Sequence, residues 1–189
     1  MKSGDSLYQD AIKQFAQAAH GHGTLENATG EAKLNNPLCG DRVRMQVALD
    51  AGRIAAIAHE TKGCLLCRAA ASLLGARAAG MDAAAVEVVS DELDAMLKDS
   101  APIPVAWPEL AMFVPARAHA SRHRCVLLPF RALQAAMANV PEGTHRAGAG
   151  RSGGFAEHRS APAKPAGCAK PAVETTAKTA GTDRGTQGA

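Results

Sequence analysis

A chain of 189 residues has room for one ordinary domain and an appendage. Its 21 basic and 18 acidic side chains nearly balance, and residues 1–140 carry 14 of each, so the surplus charge lies in 141–189 and no basic groove for nucleic acid is indicated. No apolar run of about 18 residues is present to span a membrane, and Met1-Lys2-Ser3-Gly4-Asp5-Ser6 lacks the apolar stretch of a signal peptide. A cytoplasmic, reducing setting follows. There, five cysteines point to metal binding or thiol chemistry rather than to a disulfide framework.

Residues 5–18 predict a helix, with Leu7, Ala11, Phe15 and Ala18 at helical spacing. The run His20-Gly21-His22-Gly23 breaks it and reads as a surface loop, at most an adventitious metal site. From 42 to 49 the pattern alternates: Val43, Met45, Val47 and Leu49 on one face, Arg42, Arg44, Gln46 and Ala48 on the other, as in a half-buried strand. Asp50-Ala51-Gly52 signals a tight turn, and 53–59 predicts the antiparallel partner. From Cys64 onward the period changes. Leu66, Ala69, Ala70, Leu73 and Leu74 mark an amphipathic helix ending near Gly80, and Val86, Val89, Leu93, Met96 and Leu97 mark another over 83–98. Four prolines between Pro102 and Pro115 predict an irregular connector with one short helix near 109–113. A last helix is expected to start near Pro129, a residue tolerated in a first turn, and to bury Phe130, Leu133 and Met137.

The sum is an α+β domain over residues 1–140, a short antiparallel sheet packed against several helices. Residues 141–189 contain no Leu, Ile, Met, Trp or Tyr, so they cannot bury enough surface to offset chain entropy and are expected to be a disordered tail. Cys168 stands there alone as an incidental exposed thiol, or else a flexible accessory one.

The chemistry is concentrated in three cysteines. Cys39 sits in the turn Asn36-Pro37-Leu38-Cys39-Gly40-Asp41, where Asn-Pro and Gly punctuate the chain, and Asp41 can offer a carboxylate oxygen to the same ion. Cys64 opens a helix, where unpaired N–H groups and the helix dipole favour thiolate over thiol. Cys125 is expected just ahead of the last helix. Three thiolates and one carboxylate complete a four-coordinate site, or hold a cluster with one exchangeable position. A single cysteine is more often a small core residue than a ligand; three at element edges, one beside Gly-Asp, reverse that balance. Cys67 completes a C-x-x-C on the face of Cys64, as a spare ligand or redox partner, or as a small residue packed under the helix start. A thioredoxin reading fails because the strands form a hairpin rather than a βαβ unit. His123, two residues before Cys125, reads as a solvated loop histidine, with ligation or proton transfer as the alternative.

Taken together, Asn36-Pro37-Leu38-Cys39-Gly40-Asp41, a hairpin, Gly63-Cys64 opening a helix and Arg122-x-x-Cys125 resemble the U-type iron–sulfur assembly family (NifU-like N-terminal, IscU and SufU) over roughly Leu7 to Met137. The long interval between Cys64 and Cys125 and the placing of Arg122 are more similar to the SufU branch. The resemblance implies a SufE/NifU-like fold and a part in building iron–sulfur clusters. It implies Cys39, Asp41, Cys64 and Cys125 as ligands of a transient cluster, of 2Fe–2S type, or of zinc. Cys39 and Cys125 are then the candidate persulfide acceptors, and Cys67, Arg122 and His123 are auxiliary residues. The implied partners are a cysteine desulfurase and downstream acceptor or carrier proteins, with no nucleic acid and no membrane. The chain departs from the usual pattern at Gly63-Cys64-Leu65-Leu66-Cys67, where a cysteine replaces a serine.

Three expectations follow. The first is a non-enzymatic scaffold that assembles a cluster. The second is a zinc-dependent sulfurtransferase that relays persulfide sulfur. The third is an interaction domain stapled by structural zinc.

Overall fold

The computed structural model describes residues 3–141. The disorder expected of 141–189 and the place of Cys168 fall outside the described residues, apart from Pro141.

Four α-helices and three strands run in the order α1 (Ser3–Ala18), β1 (Gly30–Asn36), β2 (Asp41–Asp50), β3 (Arg53–Lys62), α2 (Leu65–Arg77), α3 (Ala83–Lys98), a 3-10 helix (Pro108–Ala118) and α4 (Ala120–Ala138). The sheet is antiparallel with β2 in the centre. The α+β architecture, the hairpin and the helix over 83–98 are as expected. Alternation along β2 buries Val43, Met45 and Val47 against the helices. On the polar face Arg44 reaches across both neighbours, to Glu31 at 2.8 Å and Glu60 at 2.9 Å.

β1 is a strand that the sequence reading did not foresee. Gly-Glu-Ala-Lys-Leu-Asn-Asn has little intrinsic preference for strand. It is held by its ladder to β2 and by α4, against which it packs so closely that a β-carbon on Gly30 would collide with the carbonyl of Ala136.

The last helix begins earlier than expected. α4 starts at Ala120 and carries Pro129 in its interior, nine residues past its first residue. An internal proline costs about 3 kcal/mol, because it has no N–H to donate and its ring presses on the carbonyl four residues back, here that of Cys125. Val126, Leu127, Leu128, Phe130 and Leu133 are all buried, and this packing outweighs the local penalty. Cys125 therefore lies inside a helix and not at its edge.

α2 is buried nearly all round, with Cys67, Ala69, Ala70, Ala71, Ser72, Leu73 and Leu74 inaccessible, and α1 and α4 pack on it. Its small residues let neighbours approach closely; a side chain on Gly75 would strike the backbone of His20. At the β2–β3 turn both central residues are left-handed, Ala51 at φ 47° and Gly52 at φ 79°. That is the type I′ geometry in which asparagine is favoured over alanine. Ala51→Asn should therefore stabilise the protein by about 0.5–1 kcal/mol, read as a higher melting temperature.

Candidate metal centre

Three elements deliver the site. The turn between β1 and β2 is built by Asn36, whose side-chain Oδ1 accepts from the Leu38 N–H at 3.2 Å and whose carbonyl accepts from the Gly40 N–H at 2.9 Å. Gly40, at φ 74°, takes the left-handed conformation that ends the turn. This leaves Cys39 exposed at the tip and Asp41 buried as the first residue of β2.

The Asp41 carboxylate crosses to the start of α2. Oδ1 accepts the Cys64 backbone N–H at 2.8 Å, and Oδ2 lies 3.4 Å from the Cys64 sulfur. Cys64 is the N-cap of α2, in extended conformation. From α4, the Cys125 sulfur comes within 3.4 Å of that of Cys39. Ligand atoms of Cys39, Asp41 and Cys125 all lie within 4.8 Å of one another, and Cys64 joins them through Asp41. Zinc–sulfur bonds of about 2.3 Å in a tetrahedron set sulfur–sulfur spacings of roughly 3.8 Å, so the Cys39–Cys125 separation and the donor set suit zinc or iron.

The site is polarised. Burial would raise the Asp41 carboxyl, but hydrogen bonds from the Cys39 thiol, the Cys64 N–H and the remaining two thiols outweigh it and hold Asp41 below the usual carboxylate range. The thiols move the other way. Burial pushes Cys64 and Cys125 up, and the Asp41 charge adds to both. The expectation that the helix start would favour the Cys64 thiolate is thus corrected: without a cation, desolvation and a neighbouring carboxylate outweigh the dipole.

The auxiliary residues separate. Cys67, at the third position of α2, is wholly buried; burial raises its thiol, and it feels the charges of Asp41, Cys64 and Cys39. His123 is buried, not a solvated loop residue, and its Nε2 lies 3.1 Å and 3.2 Å from the carbonyls of Ala116 and Arg117, away from the cysteines. Arg122 is exposed on the first turn of α4, and among the described residues its guanidinium makes no hydrogen bond or ion pair. His20 and His22 are exposed, as expected of a loop; His20 bonds to Ser72, and none of these hydrogen bonds reaches the cysteines.

Two residues that the sequence reading did not single out shape the site. Asn36 is buried, with its amide nitrogen 3.9 Å from the Cys125 sulfur. Gly63 is required because a β-carbon there would sit 2.7 Å from Asp41 Oδ1. Gly63→Ala should displace the carboxylate from the Cys64 N–H, costing about 1–3 kcal/mol of stability and roughly tenfold or more in zinc affinity. Thermal melts and competition with a chromophoric chelator check both. The available signals were an asparagine before Pro-x-Cys and a glycine before a helix-opening cysteine.

Three thiols and a carboxylate thus gather where a sheet turn, one helix start and a second helix meet on a small α+β domain, a donor set that could hold a metal ion. The family model described as NifU-like N terminal domain matches residues 7–141, and the chain belongs to this family. The iron–sulfur cluster assembly scaffold protein IscU of Streptococcus pyogenes serotype M1 is 32% identical over 68 residues, 36% of this chain and 42% of that protein. The zinc-dependent sulfurtransferase SufU of Bacillus subtilis (strain 168) is 31% identical over 78 residues, 41% of this chain and 52% of that protein. The matched stretches thus span about half the length of these two relatives. The crystal structure of a nitrogen-fixing NifU-like protein (N-terminal) from Brucella abortus superimposes with a TM-score of 0.69 at 28% identity, covering 74% of this chain and 97% of that one. Among the described residues no helix is long and apolar enough to cross a membrane.

Proposed function

We propose that this protein is a scaffold on which an iron–sulfur cluster is assembled from iron and from sulfur supplied by a cysteine desulfurase, and that Cys39, Asp41, Cys64 and Cys125 hold the iron. The observation that carries the reading is the convergence of those side chains from three elements with a single thiol, Cys39, left exposed. An exposed thiol beside a half-buried and a buried one suits sulfur that arrives from outside, so Cys39 rather than Cys125 is the entry point for persulfide. Leu38 is 70% exposed and Leu65 41%, and each adjoins a site cysteine. Apolar side chains on the rim of a reactive site suit a protein partner, here the desulfurase first and a cluster acceptor afterwards. The activity resides in residues 1–140, the segment 141–189 being an appendage.

Anaerobic reconstitution with ferrous iron and a sulfide source tests the reading. Visible cluster absorption is expected, and it should vanish in Cys39→Ala and Cys64→Ala. Colourless protein throughout would exclude the scaffold.

A zinc-dependent sulfur relay is the second reading, supported by the similarity to SufU and by the same exposed Cys39. Bound zinc would hold the thiols as thiolates at neutral pH. Cys39, released from the set, would then attack the donor persulfide and pass the sulfur on. One tightly held zinc per chain and faster desulfurase turnover on adding the protein are its signature; unchanged turnover removes it.

A further inference from the structure

Sulfur delivered as persulfide is sulfane sulfur, and two electrons are needed to convert it to the sulfide of a cluster. The site contains one nucleophile that ligation does not use. Cys67 lies three residues into α2 from Cys64, fully buried while Cys64 is half-buried. Cys64 is the N-cap, with φ −64° and ψ 166° and no side-chain capping hydrogen bond. A side chain at an N-cap in this conformation folds over the third residue of its helix, and residues i and i+3 of one turn lie within the Cα range that a disulfide spans, about 4.4–6.8 Å. The Cys64 sulfur lies 3.4 Å from one Asp41 carboxylate oxygen and the Cys39 sulfur within 4.8 Å of the same carboxylate, so that side chain links the entry thiol to this pair.

We propose that Cys64 and Cys67 form an internal dithiol that reduces sulfur carried on Cys39 to sulfide, an inference resting on the assignment of Cys39 as the site of sulfur entry. Cys64 attacks the Cys39 sulfur of Cys39–S–SH. The persulfide S–S bond breaks, and the outer sulfur leaves as hydrosulfide, taking up the proton that Cys64 gives up. Cys67 then attacks the Cys64 sulfur of the mixed disulfide, and Cys39 leaves as a thiol with the proton of Cys67. One persulfide and two thiols become one thiol, one disulfide and one hydrogen sulfide. The two electrons come from the dithiol, and an external dithiol restores it before Cys64 can ligate again. Burial keeps Cys67 from bulk oxidants while leaving it within reach of Cys64.

Tryptic cleavage after Lys62 and Arg68 places both cysteines on one peptide, 63–68, whereas Cys39 is on 34–42 and Cys125 on 125–131. The full-length, reduced, metal-free chain is treated with inorganic polysulfide, freed of excess, and left without reductant. Sulfide release and peptide masses are then followed. The wild type should release sulfide as peptide 63–68 becomes two hydrogens lighter. In Cys67→Ser, and in Cys67→Ser/Cys125→Ser where the thiol 3.4 Å from Cys39 is removed as well, the second step is lost, so 34–42 should be recovered cross-linked to 63–68, and in the double variant Cys39 should return to the thiol at least about a hundredfold more slowly, the resolving attack having become intermolecular. Cys67→Ala should behave alike, which separates lost chemistry from a local packing change. Sulfide release with both thiols of 63–68 still free would overturn the proposal, as would a cross-link between 34–42 and 125–131 in its place. A desulfurase arm isolates the underlying reading: no sulfur transfer from the enzyme, with the polysulfide reaction intact, would sink desulfurase-fed assembly and leave the dithiol standing.

Discussion

Cys125→Ser should lower zinc or ferrous iron affinity by at least about a thousandfold while the protein stays folded. Loss of one of four ligands removes a large share of a binding free energy that reaches about 10–16 kcal/mol in four-ligand sites, and a thousandfold corresponds to about 4 kcal/mol. The fold does not depend on the metal for its core. Met45, Leu73, Leu74, Leu97, Phe113 and Phe130 are fully buried within one continuous cluster formed by all the helices and the sheet. Serine at a fully buried position costs about 1–2 kcal/mol more, through a hydroxyl with weak partners. Cys39→Ser should lose metal to a similar extent without that penalty, because residue 39 is exposed. Circular dichroism melts beside metal competition measure the two effects separately. Wholesale unfolding of Cys39→Ser would favour a structural zinc staple, the third expectation, over either sulfur-handling reading.

Zinc affinity should rise by at least about a hundredfold per pH unit across the neutral range. Cys64 and Cys125 are both raised by burial and by the Asp41 carboxylate, so each begins as a thiol and must give up its proton to bind. Each proton released contributes a factor of about ten per pH unit. The direction is fixed: binding tightens as pH rises, up to the point where the thiols ionise unaided. Calorimetry in buffers of different ionisation enthalpy should count at least two protons released per zinc. A slope near zero would mean these thiols are not ligands. The metal-free protein should respond oppositely at high pH. Folded-state thiol values lie above the ordinary 9.0, so their contribution is fully present below about pH 9 and is lost as pH climbs through the folded values, where the unfolded chain has already released its protons. Thermal melts between pH 7 and 10, with and without zinc, would show the two trends crossing.

Zinc and iron place the same demands on donors of this kind, since both accept thiolate and carboxylate in tetrahedral arrangements. The proposed scaffold and the proposed relay would therefore differ in the fate of any sulfur taken up by Cys39, which the peptide map follows. The proposed dithiol of half-buried Cys64 and buried Cys67 would let one sulfur be reduced without an outside electron source in the same encounter.

By itself the sequence determined whatever depends on neighbours along the chain. Alternation from Val43 to Leu49 wrote the central strand, helical spacing wrote α2 and α3, and the run from Asn36 to Asp41 marked a turn that presents a thiol and a carboxylate together. Tertiary structure decided the rest, because the decisive energies came from residues distant in sequence. β1 has weak strand preference and exists through its ladder to β2 and its close seat on α4. α4 runs through Pro129 because the buried side chains around it outweigh a local cost. Cys64 stands at a helix start that alone would favour thiolate, yet burial and a carboxylate 23 residues away in sequence reverse the sign. His123 is turned from the cysteines by two carbonyls of the preceding 3-10 segment. Local pattern named the thiols; only packing, by deciding which charges and walls surround them, set their protonation and their spacing.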